Sequence, residues 1–315
     1  MQILSKPIAL GIYTAGILFC FTPWASPGSA LALGLAFALL LDNPYRESSS
    51  SYVRWLLQVS VVLLGFGVDL DAVLRVGAHG LLFAAATIVT TFALGYGLAK
   101  FLGINRKISL LISAGTAICG GSAIAAVGSA VDADRSEMSV AMGTVFLLNA
   151  VALFLFPFLG HVLGLDQNQF GTWAGVAIHD VSSVTGAASA YGDQALQVAT
   201  IVKLSRVLWI LPVTFAAVAF FPRTGKPRGK VSVPWFILGF LLASALGSFL
   251  PALHPAVPWL ARIAKVGFSA TLFCIGASLS RAAIKQVGYK PLVQGLCLWF
   301  FISCAALLTV LDLGH

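Results

Sequence analysis

Residues 113–130 read SAGTAICGGSAIAAVGSA and hold four glycines inside a long apolar stretch. Glycine in a helix interior costs up to about 1 kcal/mol relative to alanine and allows the backbone to unwind. At membrane depth, unwound backbone is tolerated only where protein buries it or where it lines a wet cavity. The segment therefore predicts a transmembrane helix that breaks near residues 116–121. The half-helix amino terminus after such a break presents free N–H groups and a positive dipole end, which bind anions.

The composition of the whole chain supports a membrane location for this segment. Of the 315 residues, 59% are hydrophobic and only 10% are charged, and the mean hydropathy is +0.95. Soluble domains carry about 25% charged residues, so the chain is a polytopic membrane protein. The net charge of +8 comes mostly from Lys and Arg in short links between apolar runs. This distribution is typical of residues that set the orientation of a membrane protein, and it argues against binding to nucleic acid. The five cysteines form no CxxC pair and predict neither a disulfide framework nor a metal site.

The apolar runs predict an all-α fold with about eleven transmembrane helices, since a helix needs about 20 residues to cross the hydrocarbon core. The first run follows Lys6 and precedes Ala25 and Ser26, so a signal peptide is the alternative to a retained helix. Its length and the many later spans favour the retained helix. The second run is short and is the least certain. The predicted spans are 8–24, 27–42, 53–70, 77–101, 107–130, 137–163, 167–191, 195–221, 233–250, 262–281 and 291–311.

The distribution of Lys and Arg predicts the orientation of these spans. Thirteen of the nineteen lie on the amino-terminal side, four lie on the opposite side, and Lys203 and Arg206 lie inside the eighth span. Because positive residues accumulate on the cytoplasmic side, the amino terminus is predicted in the cytoplasm. With eleven spans, the carboxyl terminus is then outside.

Two short matches between the halves predict an inverted repeat. LQVSVV (57–62) resembles LQVATIV (196–202), and TAICGG (116–121) resembles TLFCIG (271–276). Both matches relate spans five apart, which face opposite ways, as in many secondary transporters. The predicted units are an extra helix in 1–26, a first repeat in 27–165 and a second repeat in 166–315. The fifth and tenth spans would then both be broken, unless their small residues only allow close helix packing.

The stretch AIHDVSSVTG (177–186) places polar residues inside the seventh span. Asp180 is the one acidic residue near the centre of a predicted span. An aspartate there costs roughly 2.5–3.5 kcal/mol, which makes it a functional hypothesis by default. If the span is one helix, Ser183 shares a face with both His179 and Asp180.

Lys203 and Arg206 lie three residues apart on one face of the eighth span, and two interpretations are open. One cation could form a structural ion pair with Asp180. Alternatively, one cation faces a cavity and attracts an anionic substrate, while Asp180 or His179 takes and releases a proton during transport. Histidine suits this role because it titrates near neutrality.

These patterns predict one site near the membrane midplane, with no catalytic residue, no metal and no cofactor. The predicted coupling residues are His179, Asp180 and Lys203. The predicted anion-binding residues are Thr116, Cys119, Gly120, Gly121, Ser122, Ser183, Arg206, Ser269, Thr271 and Gly276.

The motifs GTAICGGSAIAA (115–126) and WAGVAIHDVSSV (173–184) together resemble the YeiH-like, UPF0324-type family of bacterial inner-membrane proteins over nearly the whole chain. The resemblance implies sulfate export. Residues 181–183 differ from the family pattern, which leaves the substrate open. The arrangement is also similar to the fold of bile-acid symporters and cation/proton antiporters, with two crossed broken helices. That similarity implies a core of spans 4–6 and 9–11, a panel of spans 2, 3, 7 and 8, an elevator movement and a homodimer.

The predicted function is therefore secondary transport of a small anion, either an oxidised sulfur species or an organic acid, coupled to Na⁺ or H⁺. The sequence contains no Walker A motif, so nothing in it indicates ATP as the energy source. A sodium/proton antiporter is the alternative within transport, but neither the fifth nor the tenth span has an acid at its centre. A membrane-embedded enzyme is another alternative, but the sequence has no second polar cluster that would complete a catalytic triad or a metal site. A channel is a further alternative, and the inverted repeat favours it less.

Overall fold

The computed structural model describes residues 6–22, 24–25, 27–40, 49–221, 235–278 and 288–312. This described part is helical and contains no strand, which confirms the predicted all-α class. A 3₁₀ helix, Pro251–Ala256, precedes α13. The α-helices are α1 (Lys6–Phe19), α2 (Pro27–Leu40), α3 (Ser49–Gly65), α4 (Leu70–Leu102), α5 (Arg106–Ala117), α6 (Gly121–Ala130), α7 (Arg135–Val162), α8 (Gln167–Ala177), α9 (Val181–Tyr191), α10 (Asp193–Val207), α11 (Ile210–Phe220), α12 (Trp235–Phe249), α13 (Val257–Ser278) and α14 (Tyr289–Asp312).

Several of these helices can cross a membrane. Four stretches of the described chain are long and apolar enough: Leu82–Leu102, Arg135–Val162, Asp193–Phe220 and Tyr289–Asp312. A fifth candidate is α12 with Pro251–Cys274, which is bent by 111°. Large aromatic side chains such as Phe101, Phe220 and Phe300 are exposed on these stretches. Apolar exposure on this scale fits a lipid-facing surface.

The α5 and α6 helices form a helical hairpin, here called the first hairpin, whose tip is residues 118–120. At its base, the Lys107 ammonium donates to the Asp132 carbonyl oxygen at 2.8 Å. Nearer the tip, a Cβ atom added to Gly115 would lie 2.8 Å from Cδ1 of Ile124. The start of α5 and the end of α6 therefore lie on the same side of the molecule.

The α8 and α9 helices form a second hairpin, whose tip is residues 178–180. At its base, Oε1 of Gln167 accepts from the Gln194 backbone N–H at 3.0 Å. The rings of Phe170 and Tyr191, from opposite arms, stack with centroids 3.8 Å apart. The two ends of this segment therefore also lie together.

The long helix α7 connects the hairpins and sets their relative direction. Near its start, Met138 packs against Gly128 of the first hairpin, and near its end Gly160 packs against Phe170 of the second. The two hairpins therefore enter from opposite ends of α7. With 28 residues, α7 is about 42 Å long. Each hairpin arm has 10 to 12 residues, so it reaches about half of the roughly 30 Å hydrocarbon core.

The two tips meet at the middle of α7. A Cβ atom added to Gly121 would lie 3.1 Å from the Phe146 ring. Asn149, one turn further along α7, accepts the His179 backbone N–H at 3.1 Å through Oδ1. The polar residues of both tips are thus held beside the middle of α7.

The predicted count of eleven crossings is corrected by these hairpins. The fifth and seventh predicted spans turn back on themselves, because their tips leave the helical conformation at residues 118–120 and 178–180. Nine predicted spans remain as candidates for crossing when α12 and α13 are counted as two spans. Nine is an odd number, so the prediction that the two termini lie on opposite sides is unchanged. Arg135 moves to the amino-terminal side, which changes thirteen against four to fourteen against three. The corrected arrangement therefore follows the positive-inside rule better.

The predicted break in the tenth span is wrong. The α13 helix runs without interruption through residues 271–276. Its Gly276 allows close packing instead, since an added Cβ atom would lie 2.7 Å from the Leu31 carbonyl oxygen on α2. The second break lies in the seventh span, which was expected to be one helix. The fifth and tenth spans are therefore not equivalent at the break. The boundary between the two predicted repeats, near residue 165, stays a prediction.

The hairpin arrangement predicts which loops share a side of the membrane. In a variant without native cysteines, a cysteine at Ala133 should react with a membrane-impermeant maleimide from the same side as one at Lys100. A cysteine at Asn168 should react from the opposite side. Eleven crossings would reverse the sides of both Ala133 and Asn168 relative to Lys100, and that labelling pattern would contradict the hairpins.

Candidate functional site

The two hairpin tips touch through Gly120 and Asp180. Gly120 has φ +67, a conformation that favours glycine. A Cβ atom added to it would lie 3.1 Å from Cβ of Asp180 and 3.3 Å from its Cα. Glycine at position 120 therefore serves both the turn of the first tip and the close approach of the second tip.

A buried arginine caps the carboxyl end of α5. The Arg206 guanidinium donates through Nε to the Ala117 carbonyl oxygen at 3.1 Å, and Nη2 donates to the same oxygen. Its Nη1 donates to Oγ1 of Thr87 on α4 at 3.0 Å. Cations stabilise helix carboxyl termini because they satisfy free carbonyl groups and face the negative dipole end. Arg206 therefore ties the first tip to α10 and α4.

A buried lysine lies beside this cap with most of its donors free. Lys203 is fully buried, and its ammonium donates to the Ile118 carbonyl oxygen at 3.3 Å. An ammonium has three donors, and this is the one hydrogen bond it makes to the described residues. Two N–H donors of a buried cation thus lack a protein acceptor within the described ranges.

The amino terminus of α6 begins at the same tip. Gly120 is its N-cap residue and supplies no side-chain hydrogen bond. The first N–H groups of a helix have no partner within the helix. Ser122 in this first turn is exposed, whereas Ala117, Ile118 and Cys119 before it are buried. The first turn of α6 therefore presents a hydroxyl and backbone N–H groups, of which the Ser122 hydroxyl and the Ala123 N–H donate to the Cys119 sulfur.

Asp180 forms the N-cap of α9. Its Oδ2 accepts from the Ser182 backbone N–H at 3.1 Å and also from the Ser182 hydroxyl. An aspartate that bonds to nearby backbone competes with helix continuation, which explains why the seventh span breaks here. The predicted helix face shared by His179 and Ser183 therefore does not exist, because His179 lies outside both arms.

No ion pair joins Asp180 to Lys203 or Arg206 in the part of the chain that the structure describes. The ion pair found there joins Lys265 and Asp193, which are exposed at the base of the second hairpin. The interpretation of Asp180 as a structural partner of a buried cation is therefore not supported. Both cations instead bind backbone carbonyl groups of the first tip.

Several fully buried polar atoms around the tips have no hydrogen-bond partner among the residues that the structure describes. They are Oγ1 of Thr116, Nδ2 of Asn149 and both ring nitrogens of His179. The His179 ring lies edge-on to Trp299, with centroids 6.4 Å apart. Buried polar groups usually have partners in the protein or in ordered water. Unpaired atoms on three elements are therefore polar groups near the tips that water or a polar ligand would satisfy.

The structure brings most of the predicted site together. The first tip and the helix ends next to it contain Thr116, Cys119, Gly120, Gly121 and Ser122. The second tip and the start of α9 contain His179, Asp180 and Ser183, and Lys203 and Arg206 lie beside the first tip. Ser269, Thr271 and Gly276 lie on the unbroken α13 and make no described hydrogen bond to either tip.

Sequence reasoning missed two residues at the tips. Asn149 holds the second tip and is a lone amide in an apolar run, which is a usable signal. Thr87 supports Arg206, but it is one of three threonines in its segment and gives no such signal.

The contact between the tips predicts an unusual cost for a methyl group at position 120. Gly120→Ala should lower the melting temperature in detergent more than Gly164→Ala does. Both glycines have positive φ, but an added Cβ at Gly164 meets nothing within 4 Å, so that variant loses only about 1 kcal/mol of backbone preference. Crowding at Gly120 should add about 1–3 kcal/mol. Equal losses in the two variants would show that the tips are not in contact.

Comparisons with known proteins place the chain in one family. Residues 8–295 match the family described as "Conserved hypothetical protein 698". A UPF0324 membrane protein of Porphyromonas gingivalis is 50% identical over 92% of this chain and 88% of the relative. UPF0324 membrane proteins of Bdellovibrio bacteriovorus and Geobacter sulfurreducens are 47% and 46% identical, over 96% and 95% of this chain and 94% and 96% of the relatives. No solved structure matches the chain. The chain therefore belongs to the UPF0324 family of membrane proteins, as its two motifs predicted.

Proposed function

We propose that the protein is a secondary transporter of a small anion. The observation that carries the proposal is the pair of fully buried cations, Lys203 and Arg206, where the two hairpin tips meet. Neither cation has an ion-pair partner among the described residues. The two cations outnumber the one nearby carboxylate, that of Asp180. Uncompensated buried charge is costly, and an anionic substrate would supply the missing negative charge.

The two cations differ in how many of their N–H donors are already bonded to the protein, which indicates different roles for them. Arg206 uses Nε, Nη1 and Nη2 on Ala117 and Thr87, so it holds the first tip in place. Lys203 keeps two donors free and is the cation that would bind the anion. The first turn of α6, with Gly121 and Ser122, would contribute backbone N–H groups, as helix amino termini do for phosphate and sulfate.

The opposed hairpins suit alternating access to this site. Each tip, with its own arms, separates the midplane from one side of the membrane. Moving one hairpin or its supporting helices would open the site to that side only. The proposal also adopts predictions that were made from the sequence and its resemblance. They are location in the bacterial inner membrane, a cytoplasmic amino terminus, the inverted repeat, the core and panel division, the elevator movement and the homodimer. His179 and Asp180 are the candidates for proton coupling, and Na⁺ is the other candidate coupling ion.

Cation/proton antiport is the second candidate function, and one observation favours it. Such a transporter needs a carboxylate where the broken helices meet, and the closeness of Asp180 to Gly120 supports that role. The sequence had suggested no acid at the crossing. Two buried cations beside one carboxylate leave the region positive, however, which favours an anion. Among the described residues, no group of His, Cys, Asp or Glu could hold a metal ion.

The proposal predicts that an anion stabilises the purified protein. Sulfate, sulfite, thiosulfate, small sulfonates and small carboxylates should be compared by thermal unfolding, with and without Na⁺. A ligand that binds only the folded state at 100 times its Kd adds about 2.7 kcal/mol of stability. One anion class should raise the melting temperature in a saturable way, and the same anion should be taken up by proteoliposomes.

A matched pair of lysine variants gives the control. Lys203→Met should abolish the anion-dependent shift, whereas Lys265→Met, which removes an exposed lysine, should keep it. Stabilisation by Na⁺ alone, with no response to any anion, would contradict the proposal and support antiport of cations.

A further inference from the structure

The carboxylate of Asp180 lies where an anion would bind. Its Oδ2 is bonded to the amino terminus of α9 through Ser182. Its Oδ1 lies 3.4 Å from the position that a Cβ atom on Gly120 would take, directly before the first turn of α6. The side chain therefore lies between two half-helix amino termini, both of which favour negative charge.

The surroundings of Asp180 make this carboxylate the local counter-charge. The titratable or charged side chains around the tips are Cys119, His179, Lys203 and Arg206. The packed helices α2 and α8 have no charged residue, and those of α7 and α13 lie toward the helix ends rather than at the tips, among the described residues. Asp180 is only partly buried although Ser182 and His179 next to it are buried. Asp180 is therefore the most exposed residue of the second tip.

We infer that Asp180 is a tethered competitor of the transported anion, and that a proton taken up by this carboxylate makes room for a divalent anion. The inference rests on the proposed function and names its substrate class and coupling ion. The proton comes from water at the tips and adds to a carboxylate oxygen, so one O–H bond forms and nothing is oxidised or reduced. When the anion leaves, the proton returns to water.

Charge balance gives the reason for a divalent substrate. With Asp180 ionised, Lys203, Arg206 and Asp180 carry a net charge of +1, which one monovalent anion neutralises. With Asp180 protonated, the net charge is +2, which matches a dianion such as sulfate. Because uncompensated charge at membrane depth is costly, dianion binding and proton uptake should occur together.

The test is calorimetric titration of the purified protein with sulfate at about pH 5 and about pH 8, a range in which histidine and perturbed carboxyl groups titrate. Sulfate remains a dianion over this range, so a change in affinity reports on the protein. Wild-type protein should bind sulfate about tenfold or more weakly at the higher pH, which corresponds to about 1.4 kcal/mol or more.

Asp180→Asn is the decisive variant. Asparagine caps a helix as well as aspartate does, so α9 should be kept, and melting temperature checks this. The variant should bind sulfate equally at both pH values and more tightly than wild type at about pH 8. Asp193→Asn, which removes an exposed carboxylate, should keep the pH dependence of wild type. His179→Gln, which removes the buried imidazole, tests whether that ring takes the proton instead.

The possible failures separate the two proposals. If wild type and Asp180→Asn bind neither sulfate nor methanesulfonate at either pH, the proposed anion transport is wrong and the inference falls with it. If wild type binds sulfate equally at both pH values, or if Asp180→Asn weakens binding, the anion site stands and the competitor role of Asp180 is overturned. Loss of the pH dependence in His179→Gln alone would assign the proton to the imidazole instead and would also overturn it.

Discussion

The contact between Gly120 and Asp180 is the constraint on which the rest of the site depends. Two helical hairpins that enter from opposite ends of α7 can meet at its middle only if their tips approach within van der Waals distance. A glycine with positive φ permits this on one side, and an aspartate that caps its own helix permits it on the other. The short arms then place backbone groups and polar side chains at a depth where lipid could not satisfy them.

Electrostatics explains how the tips are held there. A break in a membrane helix exposes carbonyl groups on one side and N–H groups on the other. Arg206 and Lys203 satisfy the carbonyl groups of α5, and Asp180 satisfies the amino terminus of α9. The amino terminus of α6 has no charged side-chain cap. The arrangement therefore stabilises two helix ends with the protein's own charges and leaves the positive end of α6, with a free-donor lysine beside it, for a ligand.

The sequence predicted which polar residues lie together better than it predicted the topology. The Gly120–Gly121 pair predicted the first break correctly, because two adjacent glycines in an apolar run have little other purpose. The return of α6 along α5 was not predictable, since the predicted span 107–130 is long enough to cross a membrane. Asp180 was equally ambiguous, because an aspartate can be a polar group within a helix or the cap that starts one. Gly276 was misassigned since close packing and unwinding require the same residue type. The position of Lys203 and Arg206 inside a predicted span correctly indicated that they are buried. Their hydrogen-bond acceptors could not be predicted, because these are backbone carbonyl groups, which every residue type has.

The central claim is that an anion binds between the hairpin tips, and an experimental structure with a heavy oxyanion tests it most directly. Protein prepared with selenate or tungstate, solved by crystallography with anomalous scattering, would locate the ion without ambiguity. The account predicts one strong peak within hydrogen-bond distance of the Lys203 ammonium and of the first N–H groups of α6. Anomalous peaks confined to the outer surface, with Lys203 paired to an acidic side chain of the protein, would contradict it.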